Sequence, residues 1–478
     1  MVLAMNRSKS LLKNTFILGI GKLFSKVLVF IMVPLYSRWL STGDYGTFDL
    51  YTTYISLLVP LLTLSCGEAV FRYLLDADEN FDKKRIISSG FAIIFVSSII
   101  GFLIVCCYFV KNQRGMMIPF VIYLLADSLY SFLTAYLRGI KKISLYAISS
   151  IICVFSTFIF VTALVYFCGF GLIGIIYGYA LAYCLSALFI IIKTRFFEYI
   201  SFDMIKILEV KRLLKYSAPL VPNSISWWIV NGSDRTIINI VLGSTFNGIY
   251  AIANKVPAMC TTLFSVFHLS WQENASSSIN DEDRDYYFSN IMNKMLIELL
   301  SISICITSIN FILFDYIFDA KYKMGYFHVP ILITSVIFSV LSQYFGGIFI
   351  GLKEPKYNGI TTVLAAVVNI LINVSFINTI GLYAASGSTL IAYIFLCLIR
   401  YFIIKQKVNL QFKRSLIKYL FIYIYFIIAV YIDNLYLNIL NIFLAGLLFL
   451  FINRNMIKSI LVYFTSKIQL LNNTNNKF

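Results

Sequence analysis

The sequence predicts an all-α integral membrane protein with fourteen transmembrane helices, or twelve if the last two apolar runs do not span. Three observations predict this class. The 478 residues are 60% hydrophobic and only 13% charged, whereas a soluble domain carries about 25% charged residues. The apolar residues form runs of about 20 residues, the length that crosses a bilayer as a helix. Most Lys and Arg residues stand between these runs, on alternate connections.

The predicted spans follow one another along the chain. They are residues 15–37, 47–67, 86–109, 116–137, 145–168, 171–192, 216–242, 248–270, 291–314, 328–350, 359–378, 382–402, 416–433 and 436–452. The last two are short and carry Asn residues, which is why twelve spans are the alternative. The basic start of the chain lacks a small-residue cleavage site, so we expect a retained first helix rather than a signal peptide.

The placement of the basic residues predicts the orientation. With the N-terminus inside, few Lys and Arg residues fall in the outside loops: Arg38, Lys111, Arg114, Lys321 and Lys323. This asymmetry predicts cytoplasmic N- and C-termini in a multi-pass protein of the bacterial inner membrane. The net charge of +17 is then a property of the cytoplasmic loops, and we expect no nucleic-acid partner. The nine cysteines show no paired spacing, so we expect no disulfide and no metal site.

Three sequence patterns recur in the same order in the two halves of the chain. The segments 40–46 and 242–248 resemble each other, as do 139–150 and 351–362, and 171–183 and 381–393. The repeat unit therefore holds six spans. Because an even number of spans returns the chain to the same face, both copies insert in the same orientation, related by a pseudo-two-fold axis along the membrane normal. The predicted domains are a six-helix lobe at 1–200, a second at 201–410, and two extra helices with a cytoplasmic tail at 411–478.

Charged side chains within the predicted spans are the candidate functional residues, because burying a charge in a bilayer is costly. Lys22 and Lys26 are four residues apart and share a face of the first span. Lys26 lies roughly 17 Å into the span at 1.5 Å per residue, near the midplane. Lys255 lies in the eighth span, and we expect it either to pair with Asp234 or to join Arg235 in a basic patch.

The seventh span carries a polar stripe at helical spacing. Asn223, Asn231 and Asp234 belong to it, with Arg235 adjacent. A structural ion pair is the alternative interpretation of Asp234 and Arg235. In the spans expected to face the cleft, Lys22, Lys26, Arg235 and Lys255 outnumber the single carboxylate, and such a cationic cleft suits an anionic cargo, above all a phosphate.

Prolines in several spans are candidate hinges. Pro34 lies in the first span, Pro219 and Pro222 at the head of the seventh, and Pro257 in the eighth. Each is expected to remove a helix hydrogen bond and so to permit bending. A static packing kink is an equally good interpretation of any one of them.

Two segments resemble a known family. Residues 34–41 with Asp44-Tyr45-Gly46, and residues 216–222 followed by Asp234-Arg235, Gly243, Gly248 and Tyr250, are similar to bacterial polysaccharide flippases of the Wzx type. That family belongs to the superfamily of multidrug and oligosaccharidyl-lipid exporters. The resemblance covers all fourteen spans and rests on short motifs.

The resemblance implies a V-shaped alternating-access carrier without enzymatic activity. It would move an undecaprenyl-diphosphate-linked oligosaccharide from the cytoplasmic to the periplasmic leaflet, for O antigen, lipopolysaccharide or capsule. Lys22, Lys26, Arg235 and Lys255 would hold the diphosphate or acidic sugars. No cofactor is implied beyond exchange with H⁺ or Na⁺, with Asp234 the candidate for coupling. The expected partners are the lipid-linked oligosaccharide, membrane lipids and a polysaccharide polymerase, and the chain is expected to be a monomer.

Other readings of the sequence remain open. A cation-coupled multidrug antiporter of the same fold would want buried acids in its first lobe, where this chain has lysines. A lipid II flippase would use the same carrier lipid with a different glycan. A membrane enzyme would need a large outer loop or a buried catalytic His, and His268 and His328 stand near span ends without a partner motif. An assembly scaffold is the last alternative.

Overall fold

The computed structural model describes residues 28–77, 79–112, 114–454 and 458. Lys22 and Lys26 lie outside these residues. The described chain is almost entirely helical and contains no strand in these ranges. The predicted fold class, an all-α multi-pass membrane protein, is confirmed.

Sixteen α-helices occur in the described residues. They are α1 (Leu28–Trp39), α2 (Thr42–Leu62), α3 (Cys66–Asp76), α4 (Asn80–Asn112), α5 (Arg114–Gly139), α6 (Ile143–Val161), α7 (Gly171–Thr194), α8 (Ile207–Ser217), α9 (Val221–Val241), α10 (Ser244–Ser277), α11 (Arg284–Ile312), α12 (Val329–Gly351), α13 (Lys356–Ile380), α14 (Leu382–Lys405), α15 (Ser415–Ile432) and α16 (Leu435–Ile452). One π-helical turn continues α6 over Thr162–Phe167, and another continues α11 over Leu313–Ile317.

Each predicted span overlaps one or more helices wherever the chain is described, and the second span is divided between α2 and α3. Ten of the described helices are long and apolar enough to cross a membrane, or eleven when the bent pair α2–α3 is counted as one span. The long helices α9 and α10 are not among them, because polar side chains interrupt their apolar sequence. The number of crossings, fourteen or twelve, therefore stays a prediction.

The internal repeat is visible in the backbone. Lys141 and Lys353 stand at equivalent positions of the two repeats, and both have a φ of 60°. In each case the next residue closes the preceding helix with a backbone hydrogen bond five residues back, from Lys142 to Leu137 at 3.0 Å and from Glu354 to Phe349 at 2.8 Å. This is the left-handed helix cap known as the Schellman motif. The two repeats thus end corresponding helices in the same way.

The first repeated segment forms a close crossing between the N-terminal ends of α2 and α10. A Cβ atom on Gly46 would stand 1.9 Å from the carbonyl oxygen of Ser244, and one on Gly248 would stand 2.0 Å from that of Thr42. The Asn247 side-chain amide donates a 2.7 Å hydrogen bond to the Gly46 carbonyl. Gly46 and Gly248 occupy equivalent repeat positions, so each meets the backbone of the other repeat, as a local two-fold axis requires.

The second predicted span is broken rather than continuous. α2 and α3 meet at an angle of 54°. Leu64 and Ser65, between them, have φ values of 48° and 53°, in the left-handed region that costs a non-glycine residue about 1–2 kcal/mol. Pro60 lies one turn before the break, and its carbonyl accepts a 2.9 Å hydrogen bond from the Ser65 N–H.

The described residues divide into two compact units. One comprises the described part of Met1–Lys255 together with Phe318–Tyr322 and Thr362–Thr389, and the other comprises Val256–Ile317, Lys323–Thr361 and the described part of Leu390–Phe478. The predicted domain limits at residues 200 and 410 were inferred from the repeat and stay a prediction.

The second unit has its own aromatic and polar core. The Trp271 ring stacks on Tyr344 with centroids 4.2 Å apart, and its indole N–H donates a 2.8 Å hydrogen bond to the Tyr344 carbonyl. Arg400, which is 3% exposed, donates to Thr361 Oγ1 at 3.0 Å and to the Ser342 carbonyl at 2.8 Å. These contacts tie α10 to α12, and α14 to α12 and α13.

Candidate functional site

A buried carboxylate in α2 brings together two of the predicted cationic residues. Arg235 Nε of α9 lies 2.5 Å from Asp49 Oδ2, and Lys255 Nζ of α10 lies 3.5 Å from Asp49 Oδ1. The Asp49 side chain is 5% exposed, that of Arg235 18% and that of Lys255 32%. We call Asp49, Arg235 and Lys255 the charge triad. It joins α2, α9 and α10, its three residues all lie in the first compact unit, and it carries two cations on one carboxylate.

Close packing of α9 against α2 positions the triad. The Trp228 indole N–H donates a 2.7 Å hydrogen bond to the Thr53 carbonyl, one turn after Asp49. A Cβ atom on Gly232 would stand 2.9 Å from the Thr53 methyl group, so the absence of a side chain there lets the two helices approach. Trp228, Gly232 and Arg235 share one face of α9 at helical spacing, and this face delivers the guanidinium to Asp49.

Asp234 forms a separate cluster with neutral hydrogen-bond donors. Its Oδ1 accepts from the Asn373 amide at 2.9 Å, and its Oδ2 accepts from Thr389 Oγ1 at 2.6 Å and from the Tyr250 hydroxyl at 3.1 Å. The residue is 3% exposed. No ion pair of Asp234 occurs within the ranges that the structure describes. We call Asp234, Tyr250, Asn373 and Thr389 the Asp234 cluster.

The Asp234 cluster contains an acceptor that has no donor. Asn373 Oδ1 is buried and has no hydrogen-bond partner in the described chain. Asn369, one turn before it, contacts Ser233 Oγ at 3.3 Å and donates to Thr389 Oγ1 at 3.5 Å. A buried carboxylate beside an unpaired amide oxygen is an arrangement that can accept a proton or a small cation.

Asp234 and Arg235 are neighbours in sequence, but they do not form an ion pair with each other. Successive residues of a helix point about 100° apart, so Arg235 reaches Asp49 while Asp234 reaches α13 and α14. Of the two partners expected for Lys255, the structure shows the association with Arg235, through Asp49. Sequence reasoning missed Asp49, because the second span was predicted to begin at residue 47. The helix begins at Thr42, which puts Asp49 about 10 Å inside it at 1.5 Å per residue.

The two predicted asparagine residues of α9, Asn223 and Asn231, are both exposed. Asn223 is exposed in the first turn of α9, and the exposed Asn231 amide donates to the Trp227 carbonyl at 2.8 Å. Asn231 contributes to the triad through its backbone, since its carbonyl accepts a 2.7 Å hydrogen bond from Arg235. No group of three or more His, Cys, Asp or Glu residues is placed to hold a metal ion in the described ranges.

The candidate hinge prolines differ in their helix positions. Pro34 lies within α1 and Pro257 within α10. Pro219 and Pro222 lie in the first turns of the short 3₁₀ helix Ala218–Leu220 and of α9. The 3₁₀ helix and α9 follow α8 without a break, so both prolines stand within a continuous helical stretch, and the loss of a helix hydrogen bond at either stays a prediction. A hinge role for any of the four stays a prediction.

The chain is similar to known proteins in both sequence and fold. The sequence pattern of the polysaccharide biosynthesis protein family matches residues 11–271, which is more than half of the 478 residues. The chain belongs to this family. The match includes the whole charge triad and two members of the Asp234 cluster. No curated protein matches the chain.

Solved structures similar to this family member share its fold. The lipid II flippase MurJ in an inward closed conformation has a TM-score of 0.66 and 17% identity, covering 92% of this chain and 99% of its own. An inward-facing multidrug resistance MATE family transporter of the MOP superfamily has a TM-score of 0.62 and 11% identity, covering 81% and 98%. A MOP superfamily transporter from Pyrococcus furiosus has a TM-score of 0.54 and 12% identity, covering 82% and 96%. The chain has the fold of MOP superfamily transporters.

Proposed function

We propose that this chain is a Wzx-type flippase for surface polysaccharide synthesis. It moves an undecaprenyl-diphosphate-linked oligosaccharide from the cytoplasmic to the periplasmic leaflet of the inner membrane by alternating access. The charge triad is the observation that carries the proposal, together with membership of the polysaccharide biosynthesis protein family. Under this proposal the chain is a carrier for O antigen or capsule repeat units rather than an enzyme.

The charges of the triad favour an anionic ligand. Asp49 can neutralise only one of its two cations, so the triad carries an excess positive charge at neutral pH. Lys255 is the most exposed member, at 32%, and its ammonium can turn toward a ligand while Arg235 keeps the carboxylate. A diphosphate offers several oxygen atoms to such donors, and charge-assisted hydrogen bonds of this kind are the strong ones. Lys22 and Lys26 remain proposed members of the same cationic site.

The Asp234 cluster supports the coupling proposed from the sequence. The Asp234 carboxylate is 3% exposed, its hydrogen-bond donors are neutral, and no ion pair of the described residues balances its charge, so a bound H⁺ or Na⁺ would supply the missing positive charge. Since Asp234 is the residue before Arg235 on α9, a rotation of this helix would move both clusters. We propose that occupation of the Asp234 cluster biases α9 between two positions.

Two other cargoes suit the same fold. A cation-coupled multidrug antiporter would want a buried acid in the first lobe, and Asp49 is such an acid. Its carboxylate is already paired with Arg235 and Lys255, however, and this excess of cations disfavours a cationic drug. A lipid II flippase would need the same diphosphate contacts, because the carrier lipid is shared. The two flippase proposals therefore differ only in the glycan, and the experiment has to identify which lipid-linked glycan accumulates.

A deletion strain tests the proposal. Wild-type complementation is expected to restore the surface polymer, while the deletion traps the lipid-linked oligosaccharide on the cytoplasmic leaflet of spheroplasts. Lys255→Gln is expected to reduce restoration by about tenfold, since a hydrogen bond to a charged group contributes about 1.5 kcal/mol. Lys418→Gln is the matched control, because Lys418 is an exposed lysine of α15.

Each alternative gives a different result in that experiment. Normal surface polymer with increased sensitivity to cationic drugs would contradict the flippase and favour the antiporter. Accumulation of lipid II, with arrested cell-wall synthesis, would identify the cell-wall precursor as the cargo. Restoration by Lys255→Gln equal to that by Lys418→Gln, at equal membrane levels, would remove the triad from the transport path.

A further inference from the structure

A hydroxyl-lined cavity of about 250 Å³ lies where α2 breaks into α3, within the compact unit that holds the charge triad. α5 forms the opposite wall and α9 contributes Ser224. This volume is well above the about 10–15 Å³ that a single water molecule needs, and it is enough for one pyranose ring. The cavity shares no residue with the triad or with the Asp234 cluster.

The cavity wall is rich in hydroxyl groups. Six Ser and Thr residues line it: Thr63, Ser65, Ser128, Ser131, Thr134 and Ser224. The Thr63 hydroxyl donates to the Val59 carbonyl at 2.7 Å and that of Thr134 to the Ser131 carbonyl at 2.8 Å, so their oxygen atoms remain as acceptors. The Ser224 hydroxyl likewise donates to the Leu220 carbonyl at 3.4 Å. The hydroxyls of Ser65, Ser128 and Ser131 can both donate and accept, as the hydroxyls of a sugar do.

A neutral ion pair closes one side of the cavity. Arg138 Nη2 of α5 lies 2.9 Å from Glu68 Oε1 of α3, and their side chains are 33% and 51% exposed. The Arg138 guanidinium also lies 4.7 Å from the centre of the Phe71 ring, which holds it in place. The bond joins one oxygen to one nitrogen, leaving the second carboxylate oxygen to accept from a ligand hydroxyl and Nη1 to donate to one. Acceptor and donor without net charge suit a neutral polyol better than a phosphate.

The strained break creates the cavity. Had α2 continued straight through Leu64 and Ser65, α3 would occupy a different path, and the 54° bend opens the space that the hydroxyls line. Residues held in the left-handed region cluster at ligand sites, where the surrounding structure maintains the strain. α2 is 21 residues long, about 31 Å at 1.5 Å per residue, so the predicted orientation puts the break at the cytoplasmic boundary of the hydrocarbon.

We propose that this cavity binds a sugar residue of the cargo at the cytoplasmic side. The inference rests on the proposed function and assigns a different part of the cargo to each site. The triad binds the diphosphate, and the cavity binds the glycan. The two are separated by fourteen residues of α2, from Asp49 to Thr63, or about 21 Å along its axis. An oligosaccharide can span that distance, whereas a bare carrier diphosphate cannot occupy both.

Binding to the purified full-length chain in nanodiscs tests the inference. The probes are bare undecaprenyl diphosphate and the lipid-linked oligosaccharide extracted from the deletion strain. Wild type is expected to bind the glycosylated lipid about tenfold more tightly, since one hydrogen bond to a charged group contributes a factor of this order. Ser131→Trp fills the cavity from its exposed wall and is expected to abolish this difference while leaving the bare carrier unaffected.

Two further variants keep the result interpretable. Ile122→Trp adds the same ring to α5 at a position that is 39% exposed and outside the cavity, and it is expected to keep the tenfold difference. Glu68→Gln removes one carboxylate without adding bulk and is expected to reduce the difference at least threefold, so a folding defect in Ser131→Trp would not end the test.

The outcomes distinguish the inference from the proposed function. An unchanged glycan preference in both Ser131→Trp and Glu68→Gln overturns the cavity assignment and leaves the flippase intact. Failure of wild type to bind either lipid overturns both. A glycerol headgroup offers the same hydroxyl chemistry, so titration with phosphatidylglycerol is included. Weaker binding of that lipid to Ser131→Trp, with the glycan preference unchanged, would assign the cavity to a membrane lipid.

Discussion

Asp49 holds two cations that would otherwise repel each other. Its two oxygen atoms contact Arg235 and Lys255 separately, and its own side chain is 5% exposed. Because this carboxylate is buried, its loss should lower the free energy of unfolding more than the loss of a carboxylate from a surface ion pair. Removing it leaves two charged side chains without a compensating partner. The residue therefore both maintains the structure of the triad and sets its excess positive charge.

Asp49→Asn is expected to lower the free energy of unfolding by about 3 kcal/mol, the usual loss when a buried ion pair is broken. Adding Arg235→Gln is expected to cost less than the sum of the two single changes, since the uncompensated guanidinium is then gone. Denaturant unfolding of the detergent-purified protein measures both. Asp76→Asn is the control, because the Arg72–Asp76 pair has side chains 47% and 63% exposed and should contribute little. Strict additivity would contradict the shared role of Asp49.

The sequence identified the residues of the site better than their partners. Arg235, Lys255 and Asp234 could be found because a charge inside an apolar run is conspicuous. Their pairing could not, since Asp49 lies 186 positions before Arg235 and only the packing of α9 on α2 brings them together. The cavity could not be predicted for a similar reason: its hydroxyls are common residues on α5, on α9 and in the break between α2 and α3. The internal repeat could be predicted from the sequence, because Lys141 and Lys353 stand at equivalent positions of the repeated segments, and both residues form the same helix cap.

At the scale of elements, two glycine contacts determine how closely α2 can pack. Gly232 admits the Thr53 methyl group against α9, and Gly46 admits the Ser244 carbonyl against α10. Both contacts lie within two turns of Asp49, on the helices that supply its two cations. Helix spacing and charge pairing are thus set together, and a side chain at either glycine would separate the helices that the ion pairs join.

Gly46→Ala is expected to destabilise the protein by at least about 3 kcal/mol, because its methyl group would overlap a backbone carbonyl that cannot rotate away. Gly387→Ala, in α14, meets no atom within 4 Å and should stabilise its helix by about 1 kcal/mol. Thermal unfolding monitored by circular dichroism compares the two. Equal melting temperatures would show that the crossing of α2 and α10 tolerates a side chain.

At the scale of the whole molecule, the charged residues of the site lie on helices that are unusually polar. α9, α10 and α2 taken alone are long described helices that do not count as apolar spans, and they carry Asp234, Arg235, Lys255 and Asp49. The fold is shared with a multidrug transporter at 11% identity and with a lipid II flippase at 17%, so the fold alone does not determine the cargo. The charged residues on these helices are therefore the features that would select one cargo over another.

Under the ion coupling proposed above, Asp234→Asn is expected to make transport independent of the H⁺ or Na⁺ gradient. Wild-type export of surface polymer should fall more than about tenfold when the coupling gradient is collapsed, because one charge driven by 100 mV is worth about 2.3 kcal/mol. The variant should export at one low rate with or without the gradient. Export is measured after adding a protonophore, and separately after removing Na⁺. A variant that responds to both treatments as wild type does would exclude Asp234 from coupling.

The reciprocal contact of Gly46 and Gly248 also bears on how the chain arose. Each glycine meets the carbonyl of the residue four positions before the other, so the contact maps onto itself when the repeats are exchanged. This is the form of an isologous interface, the kind that joins two identical subunits of a symmetric dimer. A half-length ancestor with one such glycine could therefore have assembled by this contact before its gene was duplicated and fused.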